Sequence, residues 1–310
     1  VKVLLVSTYE LGHQPLAVAA PAGRLRVRGH DVRCLDLSID PWEPDLGAWA
    51  DKVALSVPMH TAARLAREVA PTIAGPVACY GLYAEMCGDV ATALVSRDPE
   101  AELVRWIEDD SSLETETALP ARDLLPPLER YARLIQAGEE HLVASVEASR
   151  GCVHRCRHCP VPVVYDGRIR INDVDAVVAD VAQQVAMGAR HVTYGDPDFF
   201  NGVHHALRVV RAVHERFPDL TFDCTVKVEH ILQHADVWSE LAASGCIFVV
   251  SAFESVNDET LELLDKGHTA VEAGQAVALL RAHGIAIRPS WLPFTPWATR
   301  GDVRAILEFV

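Results

Sequence analysis

Three cysteines in one short stretch, Glu147-Ala-Ser-Arg-Gly-Cys152-Val-His-Arg-Cys156-Arg-His-Cys159-Pro160, have the residue type and spacing to do chemistry. They stand as C-x3-C-x2-C after an apolar run, residues 142–146, that reads as a strand. Thiolates are soft ligands suited to iron–sulfur clusters. Three on one loop can hold three irons of a four-iron cubane and leave the fourth iron without a protein ligand. An open iron at a strand end is a place for a reaction, whereas ferredoxin-type carriers close all four positions.

Blander readings stand beside this one. Structural zinc asks for four N or S ligands, usually in paired knuckles. His154 or His158 could supply the fourth, but both lie inside the same loop and no second cysteine pair follows. Three unreactive buried cysteines would leave the spacing and Gly151 unexplained. The other cysteines are scattered: Cys34, Cys79, Cys87 and Cys246 read as small core residues, and Cys224 falls on a strand. Residues 1–6 form a short apolar strand without a secretory-signal pattern, and no apolar run approaches the roughly 18 residues of a membrane span. A reducing cytoplasm is therefore expected, where clustered cysteines mean metal or catalysis sooner than disulfides.

The elements that must position this loop can be read from the pattern. The 310 residues are half apolar, enough for about two packed domains. Residues 1–110 alternate strands (3–6, 32–37, 53–57, 77–80) with helices (15–28, 62–69, 98–107), which implies an open parallel sheet covered on both faces. Ligands of such sheets bind beyond the carboxyl ends of the strands. The loops there hold Glu10 and His13, then Ser56, Met59 and His60, then Tyr80 and Gly81. No G-x-G-x-x-G or P-loop comes after the first strand, so a dinucleotide or nucleotide site is not expected. The acidic stretch 109–117 and the proline-rich segment 119–128 place a linker at 111–140.

Residues 141–310 repeat a strand-then-helix unit, with strands at 143–147, 191–194, 221–227, 247–253 and 285–290. Between the first two runs a helix with Val174, Val177, Val178, Val181 and Val185 on one stripe. Such units build a barrel, or part of one, with its site at the carboxyl ends of the strands. Polar residues appear there: Gly195-Asp196, the alternating set Asp223, Thr225 and Lys227, and Glu254-Ser255. A cap or a salt-bridged loop explains each one alone; their joint position favours a ligand site. The formal charge of −15, from 43 acidic and 28 basic residues, argues against a nucleic-acid face.

The cysteine motif and its downstream strand ends resemble the radical S-adenosylmethionine (SAM) superfamily. The resemblance implies a 4Fe-4S cluster on Cys152, Cys156 and Cys159 and reductive cleavage of SAM to a 5′-deoxyadenosyl radical. It further implies that Gly195-Asp196 holds the SAM amino group, that Glu254-Ser255 meets the ribose and carboxylate, and that Lys227 neutralises the carboxylate. Residues 285–290, with Arg288, take the adenine-contacting strand. Two features depart from the family pattern: its glycine-bearing motif is weak on this strand, and His158 precedes Cys159 where an aromatic is common.

Residues 1–110 resemble the cobalamin-binding domain of a large subgroup, with Glu10, His13, Ser56, Met59, Tyr80 and Gly81 as contacts; the Asp-x-His-x-x-Gly cobalt-ligand motif is absent. The alternative for this domain is a scaffold that binds no cofactor. Residues 7–15, 152–167 and 292–297 are most similar to CUAEP/CCAEP-tail radical SAM proteins.

The expected fold class is α/β, a Rossmann-like open parallel sheet joined to a partial (β/α)6 barrel. Five of the six barrel units are present, so either the chain is truncated or the barrel is open. The cysteine-bearing tail of that family is also missing from the 310 residues. The implied function is modification of a small molecule or peptide, with cobalamin-dependent methylation as one outcome. Its electron donor would be a reductase, flavodoxin or ferredoxin. The alternative is a non-enzymatic iron–sulfur or cobalamin carrier, or an inactive relative. Substrate and catalytic residues are not legible.

Overall fold

The computed structural model describes residues 1–96, 98–112 and 117–309; part of the expected acidic linker, 113–116, lies outside the described residues. By its contacts the chain divides into two compact units, 1–145 with 179–189, and 146–178 with 190–310.

The first unit begins with β1 (Lys2–Ser7), α1 (Leu16–Val27), β2 (Asp31–Asp36), α2 (Pro44–Trp49), β3 (Lys52–Ser56), α3 (His60–Val69), β4 (Val77–Tyr80), β5 (Ala93–Val95) and α4 (Pro99–Glu108). The strands lie in the order β2-β1-β3-β4-β5, every pair parallel. Strand β1 is buried from Val3 to Ser7 because a central parallel strand is covered on both faces. Its alternation sends Val3 and Leu5 to one core, with Ala54, Tyr80 and Leu103, and Leu4 and Val6 to the other, with Leu55, Ala66 and Cys79. Each buried valine or leucine among them contributes about 1.5–3 kcal/mol through burial. Strand β5 and helix α2 were not expected; three and six residues are too short to show a period.

The segment expected to be a linker holds two one-turn 3-10 helices, Arg122–Leu124 and Leu128–Arg130, and strand β6 (Arg133–Gln136). Strand β6 pairs antiparallel with β7 (Glu139–Val146). Arg122 is wholly buried and donates to both carboxylate oxygens of Asp180, at 3.1 and 2.8 Å, and to the carbonyls of Gln14 and Ser145. A buried guanidinium needs such a full set of acceptors.

The remaining elements are β8 (Ser149–Gly151), α5 (Val161–Tyr165), β9 (Ile169–Ile171), α6 (Val174–Ala186), β10 (His191–Tyr194), α7 (Val203–Arg216), β11 (Thr221–Thr225), α8 (Val228–Gln233), α9 (Trp238–Ala243), β12 (Cys246–Glu254), α10 (Asp258–Leu263), α11 (Ala270–Ala282), β13 (Ala286–Trp291) and α12 (Arg300–Phe309). The large sheet runs β13-β12-β11-β10-β7-β6 and curls into a half-barrel, with β10 to β13 mutually parallel. Among the described residues five strands carry the βα repeat, as expected. The sixth strand of the sheet is the antiparallel β6, at the edge opposite β13. Strand β11 ends at Thr225, two residues earlier than expected, and Lys227 becomes the N-cap of α8. Strands β8 and β9 form a separate antiparallel ribbon.

Candidate active site

The ribbon β8–β9 closes the base of a loop that carries all three cysteines of the motif. Its register pairs Ser149 with Ile171 and Gly151 with Ile169, so residues 152–168 leave and re-enter at one point. Gly151 has φ +84°, and a Cβ there would sit 2.2 Å from the Arg168 carbonyl oxygen. Only glycine fits this crossing. Inside the loop, the Cys159 N–H donates to the Cys156 carbonyl at 3.2 Å, and the chain turns into α5 after Pro160.

Among the described residues every cysteine is a free thiol; Cys152 and Cys156 are buried and Cys159 is half-buried. Burial pushes the Cys152 and Cys159 thiols up. All three cysteines lie on one loop whose two ends the β8–β9 ribbon brings together. Thiolates buried together repel one another unless cations offset them. The donor set therefore suits a metal cluster, which binds thiolates and releases their protons.

Neither loop histidine turns toward these thiols as a fourth zinc ligand would. His154 Nε2 lies 3.3 Å from an Asp198 carboxylate oxygen, and His158 Nε2 lies 3.2 Å from Glu254 Oε1. The loop is thus held over the strand ends by its own histidines and by Arg157, whose N–H donates to the Leu264 carbonyl at 3.0 Å.

Glu254 ends β12 in the left-handed region, φ +63°, unusual for a residue with a side chain. Its carboxylate is buried and meets Lys266 Nζ at 3.2 Å as well as His158. Burial would raise its pKa, but His158 and Lys266 outweigh that and hold it below the usual carboxylate range. Lys266 is itself buried and was not singled out in the sequence. The only signal was Asp265-Lys266-Gly267, a turn after a helix. Gly267 (φ +73°) lets this turn approach Lys227 Nζ and the Glu229 carboxylate. Lys227 is buried with its Nζ 3.5 Å from Glu229. Close by, burial and the charges of Lys266 and Lys227 push the His268 imidazole down to about 4.

Gly195 and Asp196 come directly after β10, and the Gly195 N–H donates to the Val146 carbonyl at 2.8 Å. The Asp196 carboxylate is committed within the protein: it accepts from the Ala148 N–H at 2.9 Å and from the Ser149 N–H and hydroxyl at 2.6 Å each. Burial pushes it up to about 7 despite those donors. Asp196 thus positions the strand leading into the cysteine loop. Ser255 is buried and its hydroxyl oxygen accepts from the Asn257 N–H at 3.0 Å. The Arg288 guanidinium lies over Phe248, 3.6 Å from the ring centroid, and Phe248 stacks on His191. On the same face Asp223 accepts from Thr193 at 2.7 Å and meets His191 at 2.8 Å. Glu254 and Lys227 thus stand with the cysteine loop and the Lys266 turn, while Arg288 and Asp223 belong to a group along the sheet.

In the first unit the strand ends align: Ser7 is opposite Asp36 and Ser56, and Ser56 is opposite Tyr80. Strand order reverses between β1 and β3, where doubly wound sheets open a crevice. Glu10 and His13 come after β1, and Met59 comes after β3 at the start of α3. Gly81 (φ +108°) comes after β4, its backbone so close that a Cβ would lie 3.0 Å from the Val57 carbonyl oxygen. Ser56 and Tyr80 are buried beneath this edge, and the Tyr80 hydroxyl donates to the Ala17 carbonyl at 2.9 Å. Each is the last residue of its strand and so belongs to the core.

Comparison with known proteins places these features. The family profile of the Radical SAM superfamily matches residues 146–309. An uncharacterised methyltransferase of Pyrococcus horikoshii is 24% identical over 69% of this chain and 44% of its own length. A hopanoid C-3 methylase of Methylococcus capsulatus is 21% identical over 90% of this chain and 62% of its own. The chain thus spans less than two thirds of either relative. Among solved structures, the radical S-adenosylmethionine methyltransferase TsrM of Kitasatospora setae, with cobalamin and a 4Fe-4S cluster bound, superposes with a TM-score of 0.76 at 19% identity. That match covers 99% of this chain and 72% of TsrM, a likeness of fold.

Proposed function

The chain belongs to the radical SAM superfamily, and from that premise we propose that it cleaves SAM reductively to modify a small-molecule or peptide substrate, with cobalamin-dependent methylation as the outcome. The observation that carries this reading is that Cys152, Cys156 and Cys159 lie on one loop, closed at its base by the β8–β9 ribbon and pinned to Glu254 through His158. Cys152, Cys156 and Cys159 would hold a 4Fe-4S cluster, which supplies one-electron reduction of the sulfonium when bound.

The chain's own residues bind and orient. Glu254 offers a carboxylate that its contacts with His158 and Lys266 hold below the usual carboxylate range. Lys227 and Lys266 offer positive charge toward an anionic cofactor group, and Asp196 sets the entry to the loop. Arg288, stacked on Phe248, presents a planar cation on its sheet face.

In the first unit Glu10, His13, Met59 and Gly81 would line a cobalamin site at the β1/β3 reversal. Methylation is favoured over other carbon-centred chemistry because methyltransferase and methylase relatives recur at low identity.

Anaerobic reconstitution tests the proposal. The loaded protein should absorb broadly in the visible, as iron–sulfur clusters do, and release 5′-deoxyadenosine and methionine under reductant. Cys152→Ala, Cys156→Ala and Cys159→Ala should each abolish that release. Absorption without cleavage in the unaltered chain would make it a carrier, and a colourless protein would end the proposal. Uptake of cobalamin, measured separately, decides between methyl transfer and hydrogen abstraction alone.

A further inference from the structure

Among the described residues, three side chains outside the cluster set aim their ligand atoms at one another: His154, Asp198 and His230, all within 4.8 Å. We propose that they form a second metal site, separate from the cysteines, that takes a mononuclear divalent transition metal such as zinc. The site goes beyond the activity proposed above and does not depend on it.

The geometry is that of a ligand set. His154 Nε2 is 3.3 Å and His230 Nδ1 is 2.8 Å from the same Asp198 oxygen, Oδ2. Zinc bonds of about 2.0 Å at tetrahedral angles put neighbouring ligand atoms about 3.3 Å apart. All three atoms are buried, and none has a hydrogen-bond partner of acceptable direction. Leaving such atoms unsatisfied is costly, and a shared cation satisfies all of them at once. The other Asp198 oxygen is already committed: as N-cap of the 3-10 turn Phe199–Gly202 it accepts from the Phe200 N–H at 3.2 Å. That bond fixes the carboxylate so that Oδ2 alone faces the imidazoles. Behind His154, the Glu229 carboxylate lies 3.8 Å from Nδ1, on the side where an acidic partner orients a metal-bound histidine.

Two imidazoles and a carboxylate suit zinc and its first-row neighbours, and three protein ligands leave one tetrahedral position open. The ligands come from three places in the chain. His154 sits between Cys152 and Cys156, Asp198 lies just beyond β10, and His230 lies on α8. A metal here would tie the cysteine loop to two elements of the half-barrel before or without cluster assembly.

The test uses the full chain with zinc or cobalt(II) as the probe. After anaerobic reconstitution and dialysis against zinc, metal analysis should find roughly one zinc per chain in addition to iron. A Cys152→Ser/Cys156→Ser/Cys159→Ser variant should lose the iron and keep the zinc. Asp198→Asn and His230→Gln should lose the zinc and keep the iron. Cobalt(II) in the triple-serine variant should give the visible bands of a tetrahedral ion without thiolate charge transfer. Zinc should also raise the melting temperature of that variant, and the shift should vanish when His230→Gln is added, provided circular dichroism shows a folded chain. Zinc that disappears with the cysteines, or that survives both Asp198→Asn and His230→Gln, would overturn the site. So would zinc content no higher than that of the His230→Gln protein.

Discussion

Lys266 Nζ stands 3.2 Å from Glu254 Oε1 with both side chains buried, a pairing that spans 12 residues and the whole of α10. Removing one member of a buried ion pair leaves the other charged in a dry environment. Lys266→Met should therefore destabilise the protein by about 3 kcal/mol. The Glu254→Gln/Lys266→Met double variant should recover part of that loss, giving a coupling above about 1 kcal/mol in a urea-unfolding cycle. Strictly additive losses would mean the two do not act as a unit.

Asp196→Asn places an amide N–H₂ where a carboxylate oxygen accepts backbone N–H groups from Ala148 and Ser149. One buried donor then loses its acceptor, at a cost of about 2 kcal/mol. Amide hydrogen exchange at residues 148 and 149 should accelerate, and exchange in the first unit should not. Unchanged exchange at those two amides would remove Asp196 from its positioning role.

His268 gives a pH dependence with a definite sign. Its folded-state pKa is lowered to about 4 from an unfolded value near 6.5, so the native state favours the neutral ring. That contribution is fully present above pH 6.5 and is lost as pH falls from 6.5 toward 4, at most about 3 kcal/mol. Unfolding by urea across that range should be steeper with pH in the native chain than in His268→Gln. Parallel curves would mean the ring does not titrate differently on folding.

Gly151→Ala separates steric crowding from backbone strain. Alanine at φ +84° is strained anywhere, by about 1–2 kcal/mol. At Gly151 the added Cβ also meets the Arg168 carbonyl, whereas at Gly138 (φ +85°) nothing lies within 4 Å. Gly151→Ala should cost at least about 2 kcal/mol more than Gly138→Ala, and it alone should lower iron uptake on reconstitution. Equal effects would show that the loop base tolerates the crowding.

The legible parts of this protein were local in the chain. The cysteine spacing lies within eight residues, and most strands of both sheets, though not β5 or β6, announced themselves as short apolar runs. Glu254 was visible because an apolar strand ended on an acid. What escaped was short or distant. Strand β6 has four residues and pairs at a sheet edge, with one buried position, so no period marked it. Lys266 looked like any turn lysine, and its inward aim arises from the left-handed Gly267. Arg122 fell within the expected linker because its partner, Asp180, lies 58 residues away.

From residue order alone came the alternation that makes two α/β sheets, the loops at their carboxyl ends, and a thiol set suited to a cubane. These depend on periodicity and contiguous spacing, which survive in one dimension. Only the tertiary structure decided how side chains far apart in the chain share charge. It turned His158 to Glu254, gave Asp196 to backbone donors rather than to open space, and sank Tyr80 and Ser56 into the core. It also brought His154, Asp198 and His230 to one point. Those outcomes depend on burial and on which partners satisfy a polar atom away from water, and neither is encoded in any local window of sequence.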